Sequence, residues 1–531
     1  MNQGSTDRDQ ALDLGISTRP PVVRHAKSIR SLPDSRLYTP ALLIGSAVYL
    51  FVNLFAFPAV PFLLSGDQVY YWMNAQRMLQ GERIYLDFFQ FTPPGTNLLY
   101  LGWFRLFGPH IWVTNAVVLV AGVVLCWLCF RISKLIMDPG QAFLAAWLFL
   151  VLIYGKLLNG THHWFSLLAA MAAVAVTMKA RTPARILIAG ILLGLASFFT
   201  QTRGPIVALG IAAFLMWENY RSRGTWRTLL RREALLLIPF GATLLILNGY
   251  FIATTGISRL WYFQITYARQ YMVRGWATHS LGLPGTLTWK SLPELSQYLF
   301  VYKLLPVVYA IALWRCWRAR RNPPSPETDR IALLTLAGFA MMMEVVQSLN
   351  WLRVYCVAMP AIILLLWILE GEKFNTYAVR LIWVSVLCLA SLQMWARQHR
   401  GFVTMELPGG RAATTPQAHE KLQWLMQNTK PGEPFFQAGW PGLYLPLGSN
   451  NPVFMDVLET GDQTRPEYID MTMRHLEAKQ VRYILWSPRL EYPDLLQSPG
   501  AYHLGAFREF LQLRYRRAWT FSDQDEMWVR K

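Results

Sequence analysis

"SGDQVYYWMNAQRMLQGERIYLDFFQFTPPG" runs from Ser65 to Gly95. It follows the first long apolar run of the chain, near 41–63, and sets an acid, Asp67, a few residues past the end of that run. Tyr70 and Tyr71 come next, then Gly81, further acids at Glu82 and Asp87, and a Pro-Pro-Gly turn. Ser65 with Gln68 three residues later fits a capping box, which predicts a helix starting here with Asp67 in its first turn. Asp67, Tyr70, Tyr71 and Asn74 then share one face. Val69, Trp72 and Met73 share the other, a pattern that suits an amphipathic helix lying in a membrane interface. A carboxylate in this place feels two opposed influences: desolvation raises its pKa, while a helix N-terminus favours the anion. Where the second wins, Asp67 is ionised yet poorly hydrated, the state a general base needs. The plainer alternative is a carboxylate that only caps a surface helix.

The rest of the chain says what solvent that helix meets. Of 531 residues, 53% are hydrophobic and 15% charged, with 22 Trp; a soluble domain carries about a quarter charged residues. Most of the chain therefore has an apolar solvent, and the fold class expected is an α-helical polytopic membrane protein. The net charge of +19 would suit nucleic acid, but it is unevenly spread. Residues 397–531 carry 16 Lys and Arg against 15 Asp and Glu. The excess lies in short loops between apolar runs, where it reports topology, so no nucleic-acid partner is expected. The five cysteines have neither disulfide nor metal spacing.

A bilayer core of about 30 Å takes about 20 apolar residues per helix. About eleven transmembrane segments are expected, near 41–63, 112–131, 140–157, 164–179, 186–200, 205–218, 233–254, 296–315, 331–349, 352–369 and 379–396. Basic clusters fall on alternate sides: the N-terminal tail, Arg131/Lys134, Lys179 to Arg185, Arg221 to Arg232, Arg315 to Arg321 and Lys373/Arg380. The positive-inside rule puts those loops and the N-terminus in the cytoplasm. The expected organisation is a disordered basic cytoplasmic tail over 1–38, a membrane module over 39–396 and a small extracytoplasmic α/β domain over 397–531. External loops are expected at 64–111 and 256–295.

Several ionisable side chains stand at the external ends of these segments. Such positions mark functional candidates by default. His162 and His163, in "NGTHHW", would hydrogen-bond a sugar or phosphate, or else pack beside Trp164. Arg203, Lys303 and Arg353 are cations suited to a phosphate. Lys303 and Glu344 alternatively neutralise each other as a pair. The stretch "RLWYFQITYARQYMVRGW" (259–276) suits an amphipathic helix against anionic head groups, with a lid role.

The order of motifs resembles the GT-C superfamily of integral-membrane glycosyltransferases, in the branch of protein O-mannosyltransferases and bacterial aminoarabinose and related lipid-sugar transferases. The carrying residues are Asp67-Gln68-Val69-Tyr70, Gly81, Tyr85-Leu86-Asp87-Phe88, Pro93-Pro94-Gly95 and Leu106-Phe107-Gly108. "FFTQTRGPIVAL" (198–209) and "NWLRVYCVAMPAIILLL" (350–366) extend the likeness across the membrane portion. The resemblance implies an inverting transfer of a sugar from a polyprenyl-phosphate donor to a hydroxyl acceptor on a lipid, glycan or protein. It implies Asp67 as the base, Asp87 as the acid that orients donor or acceptor, and Arg353 as partner of the lipid phosphate. Tyr70 and Tyr71 join the substrate-binding candidates. Gln68 stands where relatives carry a second acid, so no metal ligand is assigned, and a divalent cation stays open as a cofactor. Localisation in the inner (plasma) membrane, with the site outside the cytoplasm, follows from the same likeness. Two other classes share some features: a transporter or flippase of lipid-linked sugar, and an O-antigen-ligase-like glycan transferase. The first calls for repeated halves and polar groups at mid-membrane.

Overall fold

The computed structural model describes residues 36–272, 288, 291, 295–296, 298–321, 323, 325–346, 351–371, 376–430, 432–459, 464–490 and 504–531. Nearly all of the tail expected over 1–38, and much of the loop expected over 256–295, lies outside these residues.

Helices form where the apolar runs predict them. In chain order they are α1 (Tyr38–Leu54), α2 (Gln68–Leu79), α3 (Gly95–Phe107), α4 (Ile111–Ser133), α5 (Pro139–Leu148), α6 (His162–Lys179), α7 (Pro183–Phe199), α8 (Arg203–Arg221), α9 (Trp226–Thr255) and α10 (Ile257–Trp261). Then come α11 (Leu305–Ala319), α12 (Pro326–Val345), α13 (Trp351–Tyr355), α14 (Met359–Gly371) and α15 (Thr376–Gln398). Among the described residues, Ile111–Ser133, Pro139–Lys156, Trp226–Thr255 and Val379–Gln398 are long and apolar enough to cross a membrane; Tyr38–Leu54, Pro183–Phe199 and Met359–Glu370 are shorter apolar helices. Close crossings rely on small residues, as expected where lipid supplies no hydrophobic drive between helices. At the α7–α9 crossing a Cβ on Gly190 would collide with the carbonyl oxygen of Leu236.

Two runs depart from the expected continuous spans. The first ends at Leu54 and turns into a hairpin of β1 (Phe55–Ala56) and β2 (Val60–Pro61). Pro58 and Pro61 have no N–H to continue a helix. The run near 352–369 divides into α13 and α14, so Arg353 sits on a short separate piece.

The two ends of the bundle differ in charge chemistry. At one end Arg181 bonds Glu218 at 2.7 Å and Asp329 at 3.0 Å, while Arg221 reaches Asp329 at 3.1 Å and Arg232 reaches Glu218 at 3.0 Å. Arg203 opens α8 and Arg221 closes it, so this network and Arg203 are separated by about 28 Å of helix.

The C-terminal part carries α16 (Pro416–Asn428), α17 (Tyr444–Leu447), α18 (Pro466–Ala478) and α19 (Gly505–Arg514) around a four-stranded sheet. The strands β5 (Phe435–Gln437), β6 (Tyr483–Trp486), β7 (Tyr515–Thr520) and β8 (Glu526–Arg530) lie in the order β5-β6-β8-β7, with only the β5–β6 pair parallel. A separate hairpin, β3 (Val403–Met405) with β4 (Ala412–Thr414), joins this part to the start of the chain. Phe62 bridges Ala413, and the Leu63 N–H donates to the Ala413 carbonyl at 2.9 Å. The segment that leads into Asp67 is thus bonded to a C-terminal hairpin.

That junction corrects the expected setting of α2. Val69, Tyr71, Trp72, Met73, Asn74, Ala75, Gln76 and Arg77 are all buried, so α2 does not lie amphipathically on an interface. Met73 packs in one apolar cluster with Leu407, Leu422 and Phe435, and Trp72 stands edge-on to Tyr100 of α3. A strap of residues 449–456 closes over the helix. Gln76 Nε2 donates to the Ser449 carbonyl at 3.1 Å, Asn74 Nδ2 to Asp456 Oδ2 at 2.7 Å, and Arg77 Nη1 to the Val453 carbonyl at 3.0 Å. The Phe89 N–H donates to the Phe454 carbonyl at 2.8 Å.

Arg77 is the centre of this clamp. Its guanidinium is buried, bonds Glu82 at 2.7 Å and the Asp87 carbonyl at 3.1 Å, and lies 3.8 Å from Asp456. Removing one partner of a buried charged group costs about 3–5 kcal/mol. Arg77→Ala is therefore expected to destabilise the protein by that amount, and Arg77→Lys to rescue little, because an ammonium cannot reproduce the planar fork. Thermal unfolding of the detergent-solubilised protein checks this; an unshifted midpoint for Arg77→Ala would contradict the clamp.

Candidate active site

Asp67 stands at the N-cap position of α2 in helical backbone conformation, and its side chain makes no capping hydrogen bond. The expected capping box is not formed. Gln68, fully buried, donates instead to the Ser65 carbonyl at 3.0 Å and accepts from the Gly160 N–H at 2.7 Å. The residue at the position of a second acid therefore stitches the "NGTHHW" loop onto the start of α2. Burial pushes the Asp67 carboxyl above the ordinary carboxylate range, opposed by the nearby Arg353 guanidinium and by a backbone hydrogen bond. Desolvation is the largest of these influences on Asp67.

Gly95 explains the Pro-Pro-Gly turn. A Cβ there would strike the carbonyl oxygen of Phe198, so only glycine lets the start of α3 press on the end of α7. The intervening loop is held by Tyr85, which adopts a left-handed backbone with φ +69°, a conformation that costs about 1–3 kcal/mol for a non-glycine residue. Its hydroxyl donates to the Thr92 carbonyl at 2.9 Å, and its ring stacks on Phe263 at 5.8 Å. Thr92 Oγ1 in turn lies 3.4 Å from the Tyr71 hydroxyl.

Around Asp67 the fold gathers most of the residues singled out from the sequence. Arg353 lies within electrostatic reach of Asp67, Arg203, Glu344 and Cys356. Arg203 and Glu344 form a buried ion pair at 3.2 Å, and Glu344 also accepts from Thr202. The alternative pairing of Glu344 with Lys303 is thereby corrected: Lys303 is exposed on the stretch Leu299–Leu304. The Arg203 Nη1 atom is buried without a hydrogen-bond acceptor among the described residues. His162 Nδ1 is 2.8 Å from Thr200 Oγ1. Its ring meets His163 at 3.9 Å and Tyr71 at 6.0 Å, whereas Trp164 packs on Tyr154.

Asp87 is turned elsewhere. Its carboxylate accepts from the Arg83 N–H at 2.7 Å and from Nε at 3.3 Å. It lines a cavity of about 890 Å³ with Arg77, Arg259, Tyr262, Phe454 and Tyr468. The segment Tyr262–Met272, expected to face lipid, contributes Phe263 and Tyr267 to the cover over Phe89; the remainder of that stretch lies outside the described residues.

The C-terminal part supplies acids that the sequence reading missed. Glu459 lies within reach of Asp67, and burial, reinforced by the Asp67 charge, lifts its carboxyl to about 7. Asp456 is likewise lifted to about 7 by burial, against the pull of Arg77 and the Asn74 hydrogen bond. Tyr70 sits among Glu459, Asp67 and Asp456. Among the described residues no three His, Cys, Asp or Glu side chains converge to hold a metal, and no step is routed through one.

No protein-family model and no curated protein matches the chain. Solved structures do. The chain is similar to ArnT from Cupriavidus metallidurans bound to undecaprenyl phosphate, with TM-score 0.60 and 13% identity over 93% of this chain and 98% of that one. It is similar to the Archaeoglobus fulgidus oligosaccharyltransferase complexed with Zn and sulfate, with TM-score 0.53 and 14% identity over 92% and 73%. Another structure of that archaeal enzyme, with an inhibitory peptide and a dolichol-phosphate, gives TM-score 0.51 and 13% identity over 93% and 74%. The chain has the GT-C fold.

Proposed function

We propose that this protein is an inverting glycosyltransferase that moves a sugar from a polyprenyl-phosphate donor to a hydroxyl acceptor. The observation that carries the reading is the convergence of a half-buried, uncapped carboxylate, Asp67, with the Arg353 guanidinium and the Arg203–Glu344 pair. A phosphate oxygen would give the buried Arg203 Nη1 the acceptor it lacks among the described residues. Two of the similar structures hold polyprenyl phosphates, undecaprenyl phosphate in ArnT and a dolichol-phosphate in the archaeal enzyme.

In this mechanism Asp67 takes the proton of the acceptor hydroxyl as its oxygen attacks the anomeric carbon. The bond from that carbon to the phosphate oxygen breaks, and the lipid phosphate leaves with its extra negative charge. Arg203 and Arg353 stabilise that charge more in the transition state than in the ground state. His162, His163 and Tyr71 orient donor or acceptor, whereas the Asp87 carboxylate is held by Arg83 and takes no part in this step. The candidate cluster sits at helix ends rather than at mid-helix, which favours a transferase over a carrier. The ion-pair network at the opposite end of α8 gathers the basic loops assigned to the cytoplasm, which supports an extracytoplasmic site.

The direct test is turnover of a labelled polyprenyl-phosphate sugar by the purified protein in nanodiscs; absence of any donor cleavage would remove the reading. The base must be anionic, and burial raises the Asp67 pKa. The acid limb of kcat/KM is therefore expected above the ordinary Asp value of about 3.9, with rate climbing as pH rises through it. A pH–rate profile that is flat down to about pH 4 would contradict the half-buried base.

A further inference from the structure

Trp440 and Glu459, both from the C-terminal part of the chain, approach Tyr70. Tyr70 lies one turn along α2 from Asp67. Its ring stands 5.0 Å from that of Trp440, at 49°. Trp440 is 47% exposed on the turn between β5 and α17. That turn is braced: the Gly442 N–H donates to the Trp440 carbonyl at 2.8 Å, and the Leu443 N–H to Gln437 Oε1 at 3.1 Å. Glu459 comes from the end of the strap that Asn74, Gln76 and Arg77 hold down. Its own N–H is fixed by Thr464 Oγ1 at 2.9 Å.

Resting on the glycosyltransferase reading, we propose that Tyr70, Trp440 and Glu459 form the acceptor subsite beside Asp67, and that the acceptor it takes is a saccharide. A pyranose presents one apolar face of C–H bonds and a rim of adjacent hydroxyls. An open indole set against a phenol offers a rigid aromatic surface for that face. Two neighbouring carboxylates offer acceptors for two adjacent hydroxyls, one at Asp67 to lose its proton and the next at Glu459 to be held. A simple alcohol would leave the aromatic platform unused. Serine or threonine in a peptide would offer Glu459 no second hydroxyl.

The test uses full-length protein in nanodiscs with labelled polyprenyl-phosphate sugar, and follows two products: lipid phosphate released by hydrolysis, and sugar transferred to acceptor probes. The probes are a panel of octyl hexopyranosides, with 1-octanol and a Ser/Thr peptide as controls. Transfer to at least one hexopyranoside is expected, with octanol and peptide labelled at least tenfold more slowly. Trp440→Ala and Glu459→Gln are expected to lower the ratio of transfer to hydrolysis about tenfold, through the KM for the hexopyranoside, since losing about 1.4 kcal/mol of binding is tenfold. Trp440→Phe is expected to restore most of the ratio. Labelling of peptide or octanol as fast as hexopyranosides overturns the proposal, as does hydrolysis with no hexopyranoside labelled. An unchanged ratio in both variants also overturns it. Hydrolysis itself reports a folded, donor-competent enzyme, so failure here is distinct from failure of the transferase reading.

Discussion

Asp67→Asn is expected to leave the chain folded and to cut sugar transfer by about 10²–10⁴-fold, the range that a positioned general base contributes. The carboxylate makes no capping hydrogen bond to α2, so an amide of the same shape removes nothing from the helix. It also removes a charge that burial disfavours, so the thermal midpoint is expected to hold or rise. Initial rates with labelled polyprenyl-phosphate sugar, measured beside thermal unfolding in detergent, decide the matter. A variant within tenfold of the parent rate would take Asp67 out of the chemistry and leave it a residue of the loop.

Arg203→Ala is expected to fail twice, in stability and in chemistry, and the two failures can be separated. The substitution leaves Glu344 buried without its partner at 3.2 Å, which costs about 3–5 kcal/mol. Under the proposed mechanism it also removes a cation that stabilises the leaving phosphate, which costs about 10²–10³ in kcat. Replacing the pair together, Arg203→Met with Glu344→Leu, restores apolar packing in place of an ion pair and is expected to recover most of the thermal midpoint. Transfer is expected to stay low in the double variant, because no cation remains at that position. Recovery of both properties would make the pair a structural feature of the α8–α12 contact and would leave the phosphate to Arg353.

How far the site was legible depends on where each residue lies. Asp67, His162, Arg203, Glu344 and Arg353 stand near the ends of apolar runs, where an ionisable group is conspicuous because hydrocarbon excludes charge. Their meeting was an inference from that shared position, and the fold gathers them around Asp67. Lys303 carried the same signal and is exposed away from the pair it was expected to join. Asp456, Glu459 and Trp440 carried no signal at all. They belong to the C-terminal part, outside the long apolar runs, where a buried or half-buried acid looks like any exposed one. Gln68 read as half of a capping box because spacing reports a local hydrogen bond; the partner it found was Gly160, 92 residues away.

The sequence alone settled where most of the helices lie, though not all of their ends. The solvent imposes a length and an apolarity on every segment, and those constraints are written residue by residue along the chain. It also settled the acid just past the first apolar run and the order of motifs around it. Tertiary structure decided that α2 is sandwiched between α3 and the C-terminal sheet region, and that the Asn74–Asp456 bond spans 382 residues. It decided too that the second acid near Asp67 arrives from the far end of the chain. Contacts of such separation leave no periodicity and no local spacing in the sequence. They follow from which surfaces find complementary packing once the segments are formed.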